Sequence, residues 1–349
     1  MDEQALQVLL QQVLAEHYGQ SDGSFHSLNT RSLDDERIVY KMYRVDLRDH
    51  SSWVICAAHE DLIASHTFQW ERQETACTWL LERASVLTAL TAQSYPAPHV
   101  VPTRTNAAVV RSGPWSVLVT TWIAGHNSQF QPAPLSQAGA LLARLHMLPL
   151  EVMPERPARW NSAYSIPHAI KALEGVRASI PASHDAFSRE CSGTLRAVLD
   201  VLPGVPDVFI HADSWMQNVV CTSHGMVFID WESAGCGAAI LDLADFLFRS
   251  QCDTYGAPPD ALLPAHVTAA ASGYASERLP NEHELDLLAL ATRFSCMWPA
   301  AWMLTRVLVE GWTPRLEQRL THAAATYELA EPSARLACSA FQEFQTFPS

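Results

Sequence analysis

Leu6, Leu9, Leu10 and Val13 recur at helical spacing, so Met1 to Gln20 is predicted as an acidic amphipathic helix. Between Arg37 and His59 the period shortens: Ile38, Tyr40 and Met42 stand against Val39, Tyr43 and Val45. An Arg48-Asp49-His50 turn and a second apolar run, Trp53 to Ala58, complete what reads as a β-hairpin. From Glu71 to Ala92 the steps return to three and four, through Trp79, Leu80, Ala84, Leu87 and Leu90, with Pro96 and Pro98 close behind the predicted helix. Ala107 to Arg111 and Trp115 to Ile123 form another strand pair about a Ser112-Gly113-Pro114 turn.

After Gly125 the pattern is mostly helical, at Leu135 to His146, Ala169 to Ile180, Phe187 to Leu202 and from about Asp260 to Phe344. A strand-turn-strand element interrupts it at Val208 to Trp231, and there is no internal repeat. The change of period near Ala124-Gly125 predicts an α+β, bilobal architecture. Residues 1–123 would form a small β-rich lobe with one main helix, and 124–349 a larger, mostly helical lobe. A chain of 349 residues that is 48% hydrophobic is long enough for both cores.

Charge narrows the partners. With 23 basic and 37 acidic side chains the net charge is −14, which disfavours nucleic acid and anionic lipid. It favours a cationic small ligand, or serves solubility alone. No apolar run reaches the roughly 18 residues of a membrane helix. The acidic N-terminus lacks the basic start and cleavage site of a signal peptide, so a cytoplasmic protein is expected. Eight cysteines without a CxxC pair fit reduced thiols, and the fifteen histidines include no HExxH.

The chemistry concentrates after residue 207. Asp213 follows His211 by two residues, Asn218 follows Asp213 by five, and Asp230 ends the apolar run Met226 to Ile229. Phosphoryl transfer needs an oriented hydroxyl, an aligned phosphate and neutralisation of phosphate charge by metal, and three oxygen-bearing side chains at this spacing match the protein-kinase arrangement. A polar turn with capping side chains would explain the three residues but not the later Asp242-Leu243-Ala244.

This ordered set, His211-x-Asp213-x-x-x-x-Asn218, Ile229-Asp230-Trp231-Glu232 and Asp242-Leu243-Ala244, resembles the aminoglycoside phosphotransferase and choline kinase family. Leu141 to His146 resembles the family's helix before the catalytic loop, and Val119 to Gly125 its link between lobes. The resemblance implies that Asp213 orients or deprotonates the acceptor hydroxyl, while Asn218 and Asp230 hold Mg2+ on the phosphates of ATP. His211 and Asp242 would brace the loop. Backbone groups of Thr121, Trp122 and Ile123 would meet the adenine edge, and Glu82 would be the acid that partners a phosphate-binding lysine. The acceptor would be a hydroxyl of a small molecule, foremost an aminoglycoside-type antibiotic, with choline, ethanolamine, homoserine, methylthioribose and macrolides as alternatives.

Departures from the family pattern leave a rival reading, a non-catalytic kinase-like binding protein. Cys56 stands where the lysine is expected, with Lys41 or Arg44 as replacement cations, and the phosphate-covering loop, Asn29 to Glu36, lacks glycine. Trp215 stands where a serine or threonine kinase carries lysine, and no Ala-Pro-Glu follows Asp230, so a polypeptide acceptor is not expected. Phe294, Trp298 and Trp302 read first as a core stripe and second as a cation–π cage. Gly235 and Gly237 read as a turn.

Overall fold

The alternating residues of the first third form β1 (Gly23–Ser27), β2 (Tyr40–Leu47), β3 (Ser52–His59), β4 (Val109–Ser112) and β5 (Trp115–Thr121). They make one antiparallel sheet in the order β1-β2-β3-β5-β4. The computed structural model describes residues 3–28, 40–60, 75–127, 131–249, 251, 262–305 and 311–346. Ile38, Val39, the start of the predicted 71–92 helix and the expected 29–36 loop lie outside the described residues. By its internal contacts the chain divides into two units, Met1–Ala124 and Gly125–Ser349.

In the first unit both faces of the sheet are covered. Helix α1 (Glu3–Val13) buries Leu6, Leu10 and Val13 with Tyr43, Val45, Ile55, Ala57, Val117 and Val119. Helix α2 (Ala76–Ala92) buries Trp79, Leu80 and Ala84 with Cys56, Ala58 and Leu118. Because successive strand residues point to opposite faces, the run Ile55-Cys56-Ala57-Ala58 is apolar without a break: it is the middle strand, buried on both sides. Thr75 caps α2 by accepting the Thr78 N–H at 3.1 Å.

The second unit carries β6 (His126–Asn127), α3 (Pro132–His146), α4 (Ser165–Val176), α5 (Asp185–Val201), β7 (Asp207–Ile210), β8 (Val219–Thr222), β9 (Gly225–Phe228) and β10 (Gly235–Ala238). It continues with α6 (Ala239–Arg249), α7 (Pro264–Ala275), α8 (Glu282–Thr305), α9 (Pro314–Tyr327) and α10 (Ala330–Thr346). Helices α3 and α7 cross at two glycines. A Cβ on Gly139 would lie 2.3 Å from the Ala270 carbonyl oxygen, and one on Gly273 would overlap the Ser136 backbone. This close approach sets the end of α7 against the first half of α3, from where the Tyr274 side chain reaches His146. Helix α6 is buried from Ala239 to Phe248, Asp242 and Asp245 included.

Gly235 and Gly237 are corrected from turn to strand. Both lie in β10, antiparallel to β7, and a Cβ at Gly235 would meet the Pro157-Ala158 backbone at 2.6 Å. Close approach of a third segment, not a turn, requires glycine there. Phe294 is core and stacks on half-buried Trp298, with centroids 5.4 Å apart; the Trp302 side chain lies outside those described. No described helix is long and apolar enough to cross a membrane.

Candidate active site

Two ladders bring the chemistry-bearing loops together. Ile210 pairs with Gly235 between β7 and β10, and Val219 pairs with Phe228 between β8 and β9. One step beyond the second ladder, the Asn218 carbonyl accepts the Ile229 N–H at 2.8 Å, so Asn218 and Asp230 flank the open end of one hairpin. Asp213 is tied to the same point: Asn218 Nδ2 donates to the Asp213 carbonyl at 2.9 Å and to its Oδ2 at 2.7 Å. With its nitrogen committed, the Asn218 amide keeps Oδ1 as an acceptor. Asp230 has φ 65° and Ala212 φ 64°, left-handed conformations that cost a non-glycine residue about 1–2 kcal/mol.

His211 is buried and joins the two loops. Its Nε2–H donates to the Ile229 carbonyl at 3.0 Å, and Nδ1 accepts the Asp213 N–H at 3.3 Å. Burial lowers its pKa, so it acts as a neutral spacer. Asp242 holds the loop from below. Its carboxylate accepts the N–H groups of His211 (2.9 Å) and Ala212 (3.0 Å) and the Ser214 hydroxyl (2.9 Å).

A chain of buried donors reaches Asp242 from the late helices. Arg278 Nη1 donates to Tyr274 Oη at 2.8 Å, Tyr274 to His146 Nδ1 at 2.8 Å, and His146 Nε2–H to Asp242 Oδ2 at 3.1 Å. Burial lowers the His146 pKa, so its contact with Asp242 is a neutral imidazole on a carboxylate. Burial alone would raise the Asp242 pKa, but the His146 bond and the loop amides hold it below the usual carboxylate range. Glu284 anchors the far end, accepting from Arg278 Nη2 at 2.7 Å and forming a reciprocal cap with Asn281.

Arg249, which the sequence reading passed over, also touches Asp213. Its Nη1 donates to Asp213 Oδ1 at 2.7 Å and to Asp245 Oδ2 at 3.0 Å, and the guanidinium lies 4.2 Å from the Trp215 ring centroid. Asp245 is buried, which pushes its carboxyl up to about 7 against the pull of Arg249. The one legible signal was the i,i+4 spacing of Asp245 and Arg249 behind Asp242.

The predicted residues of the first unit are placed separately. The Thr121 N–H donates to the His99 carbonyl at 2.9 Å and the Trp122 N–H to the Ser52 carbonyl at 3.1 Å, while Ile123 is half-buried at the end of the unit. Leu80, Arg83, Ala84 and Leu87 form the sheet-facing stripe of α2, and buried Arg83 reaches Cys56 with Nη1 3.9 Å from Sγ. Glu82 falls off that stripe and is half-exposed. Lys41 shares the α1 face of β2 with Tyr43 and Val45. Arg44 lies on the Cys56 face, bonded to Asp46 at 2.7 Å and 4.9 Å from the Trp122 ring centroid.

Among the described residues no three His, Cys, Asp or Glu side chains cluster as a metal site. Asn218 Oδ1 and the Asp230 carboxylate are hard oxygen donors of the kind that would hold a divalent cation such as Mg2+.

Comparison with known proteins places the fold. The sequence model of a family described as "Phosphotransferase enzyme family" matches residues 42–280. Among solved structures, an amicoumacin kinase, hAmiN, in complex with AMP-PNP, Ca2+ and Ami has a TM-score of 0.65 at 13% identity, covering 95% of this chain and 94% of its own. A spectinomycin phosphotransferase, APH(9)-Ia, in complex with ADP and spectinomycin has a TM-score of 0.58 at 13% identity, covering 95% and 98%. A choline/ethanolamine kinase family protein from Mesorhizobium loti has a TM-score of 0.62 at 16% identity, covering 97% and 99%. No curated protein sequence matches the chain. These likenesses establish a kinase-like fold of the class the sequence predicts.

Proposed function

The chain belongs to the phosphotransferase enzyme family and is a small-molecule kinase, and we propose that it transfers the γ-phosphoryl group of ATP to a hydroxyl of a small molecule, with Asp213 as the acceptor-side base. The observation that carries this reading is the hydrogen-bonded set Asp213–Asn218 at the open end of the hairpin that also ends in Asp230. Asp213 orients the acceptor hydroxyl and takes its proton as the oxygen attacks phosphorus. Asn218 Oδ1 and Asp230 would hold a divalent cation, Mg2+ in our reading, which when bound neutralises charge on the phosphate oxygens. The amicoumacin kinase structure with AMP-PNP and Ca2+ supports a nucleotide and a divalent cation.

We assign residues 1–123 to the nucleotide and 124–349 to catalysis and acceptor binding. The N–H groups of Thr121 and Trp122 are committed to His99 and Ser52, so of the three residues expected to meet an adenine edge we assign the N–H donor to Ile123. Glu82 has no phosphate-side role in this reading, because the helix face toward β3 carries Arg83. The acceptor we favour is an aminoglycoside-type antibiotic, a polyamine suited to a chain of net charge −14, with choline, ethanolamine and homoserine next. Neighbours named for antibiotics and for choline or ethanolamine support an amine-bearing alcohol.

The test is a panel of these hydroxyl compounds incubated with the purified protein, ATP and Mg2+, with mass gain of one phosphoryl group as the readout. Transfer to one member establishes the activity. No transfer, together with a melting temperature that ATP and Mg2+ leave unmoved, would overturn the reading and favour the non-catalytic rival.

A further inference from the structure

We infer that Arg249 is a positioning residue for Asp213, a clamp supplied by the last residue of α6 and seated on Trp215; this rests on the assignment of Asp213 above. A base works only when its carboxylate is fixed against the acceptor, and a displacement of about 1 Å can cost about 100-fold in rate. Asp213 is fixed at both oxygens from two different elements. Asn218, from its own loop, holds Oδ2 at 2.7 Å, and Arg249, from the helix that also carries Asp242 and Asp245, holds Oδ1 at 2.7 Å. Each oxygen retains a lone pair for the acceptor hydroxyl.

The guanidinium is itself restrained. Asp245, one helical turn earlier, accepts from the same Nη1 at 3.0 Å, and the plane lies over the indole of Trp215. Its charge sits at a helix C-terminus, where the backbone dipole favours a cation. The bond to Asp213 is the shorter of the two, and burial raises Asp245 to about 7, which weakens its hold on the guanidinium near neutrality. Trp215 thus occupies the position two after Asp213 as a platform, and the cation comes from another element. Lysine would replace the charge but neither the stacking nor the planar fork.

The test uses the full chain as Arg249→Met, Arg249→Lys, Asp213→Ala and the Asp213→Ala/Arg249→Met double variant, with MgATP as the probe and water as acceptor. Arg249→Met should slow kcat of ATP hydrolysis by about 10- to 100-fold, leave KM for ATP within about threefold, and be partly rescued by Arg249→Lys. In the Asp213→Ala background its loss should cost nothing further, because the two act as one unit. A crystal structure of Arg249→Met, or of Arg249→Lys if the methionine variant does not fold, reads the clamp without turnover: the Asp213 carboxylate should leave its present rotamer. An unmoved carboxylate, or an equal rate loss with and without Asp213, overturns the inference. Undiminished hydrolysis in Asp213→Ala overturns the base assignment and the clamp with it. A slow Asp213→Ala beside a normal Arg249→Met overturns the clamp alone.

Discussion

In the proposed roles Asp213 serves the acceptor and Asp230 the metal, so their substitutions should separate chemistry from nucleotide binding. Asp213→Ala should lower turnover by about two to four orders of magnitude while ATP affinity changes by less than about threefold, read by steady-state kinetics and calorimetry. Near-normal turnover would remove Asp213 from the mechanism. Asp230→Asn should abolish the Mg2+-dependent part of ATP binding, because an amide takes one charge from a hard-cation site; unchanged metal dependence in calorimetry would place the metal elsewhere. The proximity of these residues was legible because a short hairpin converts sequence spacing into closeness, with Asn218 and Ile229 opposed across its end. Arg249 was not, since it meets Asp213 across 36 residues and a different element. Nor were the left-handed conformations of Ala212 and Asp230, because neither position carries the glycine that announces them.

At the scale of elements, alternation along β3 and the helical stripe of α2 decide what position 56 can do. Cys56 is 3% exposed, lies on the α2 face of the sheet, and meets a guanidinium rather than a carboxylate. Cys56→Lys would set an ammonium beside Arg83 in a buried place, where like charges repel and neither is hydrated. The variant should melt about 5–10 °C lower and gain no ATP affinity, measured by thermal scanning and calorimetry. Tighter ATP binding at an unchanged melting temperature would instead restore the lysine–acid pairing that the sequence suggested. Strand and helix positions here were readable from period alone. The facing of Glu82 and Arg83 was not, because adjacent helix residues lie 100° apart and a helix assigned without its partner sheet has no zero of rotation. Period also failed for β10, where two glycines needed for close approach imitate a turn.

Across the whole molecule, helix periodicity gave the late helices their existence but not their purpose. Residues 146, 242, 274, 278 and 284 come together as one largely buried polar chain only after α3, α6, α7 and α8 have packed. That network, with its neighbours, should set how stability varies with pH. His146 and His211 have pKa values depressed by burial, so their contribution is full above the ordinary histidine value near 6.5 and is lost as pH falls below it. Asp245, raised to about 7, works oppositely: its contribution is present in acid and is lost as pH rises from about 4 through 7. Asp242, depressed, matters only in stronger acid, losing its contribution as pH falls below about 4. Between pH 6 and 5 the buried histidines and the Asp245 carboxyl therefore act on stability in opposite directions. Asp245→Asn removes the opposing group, so on acidification over that interval its melting temperature should fall relative to that of the unmodified protein. Thermal scans of both proteins from pH 8 to 5 measure the two slopes. Equal slopes would mean that Asp245 does not titrate there.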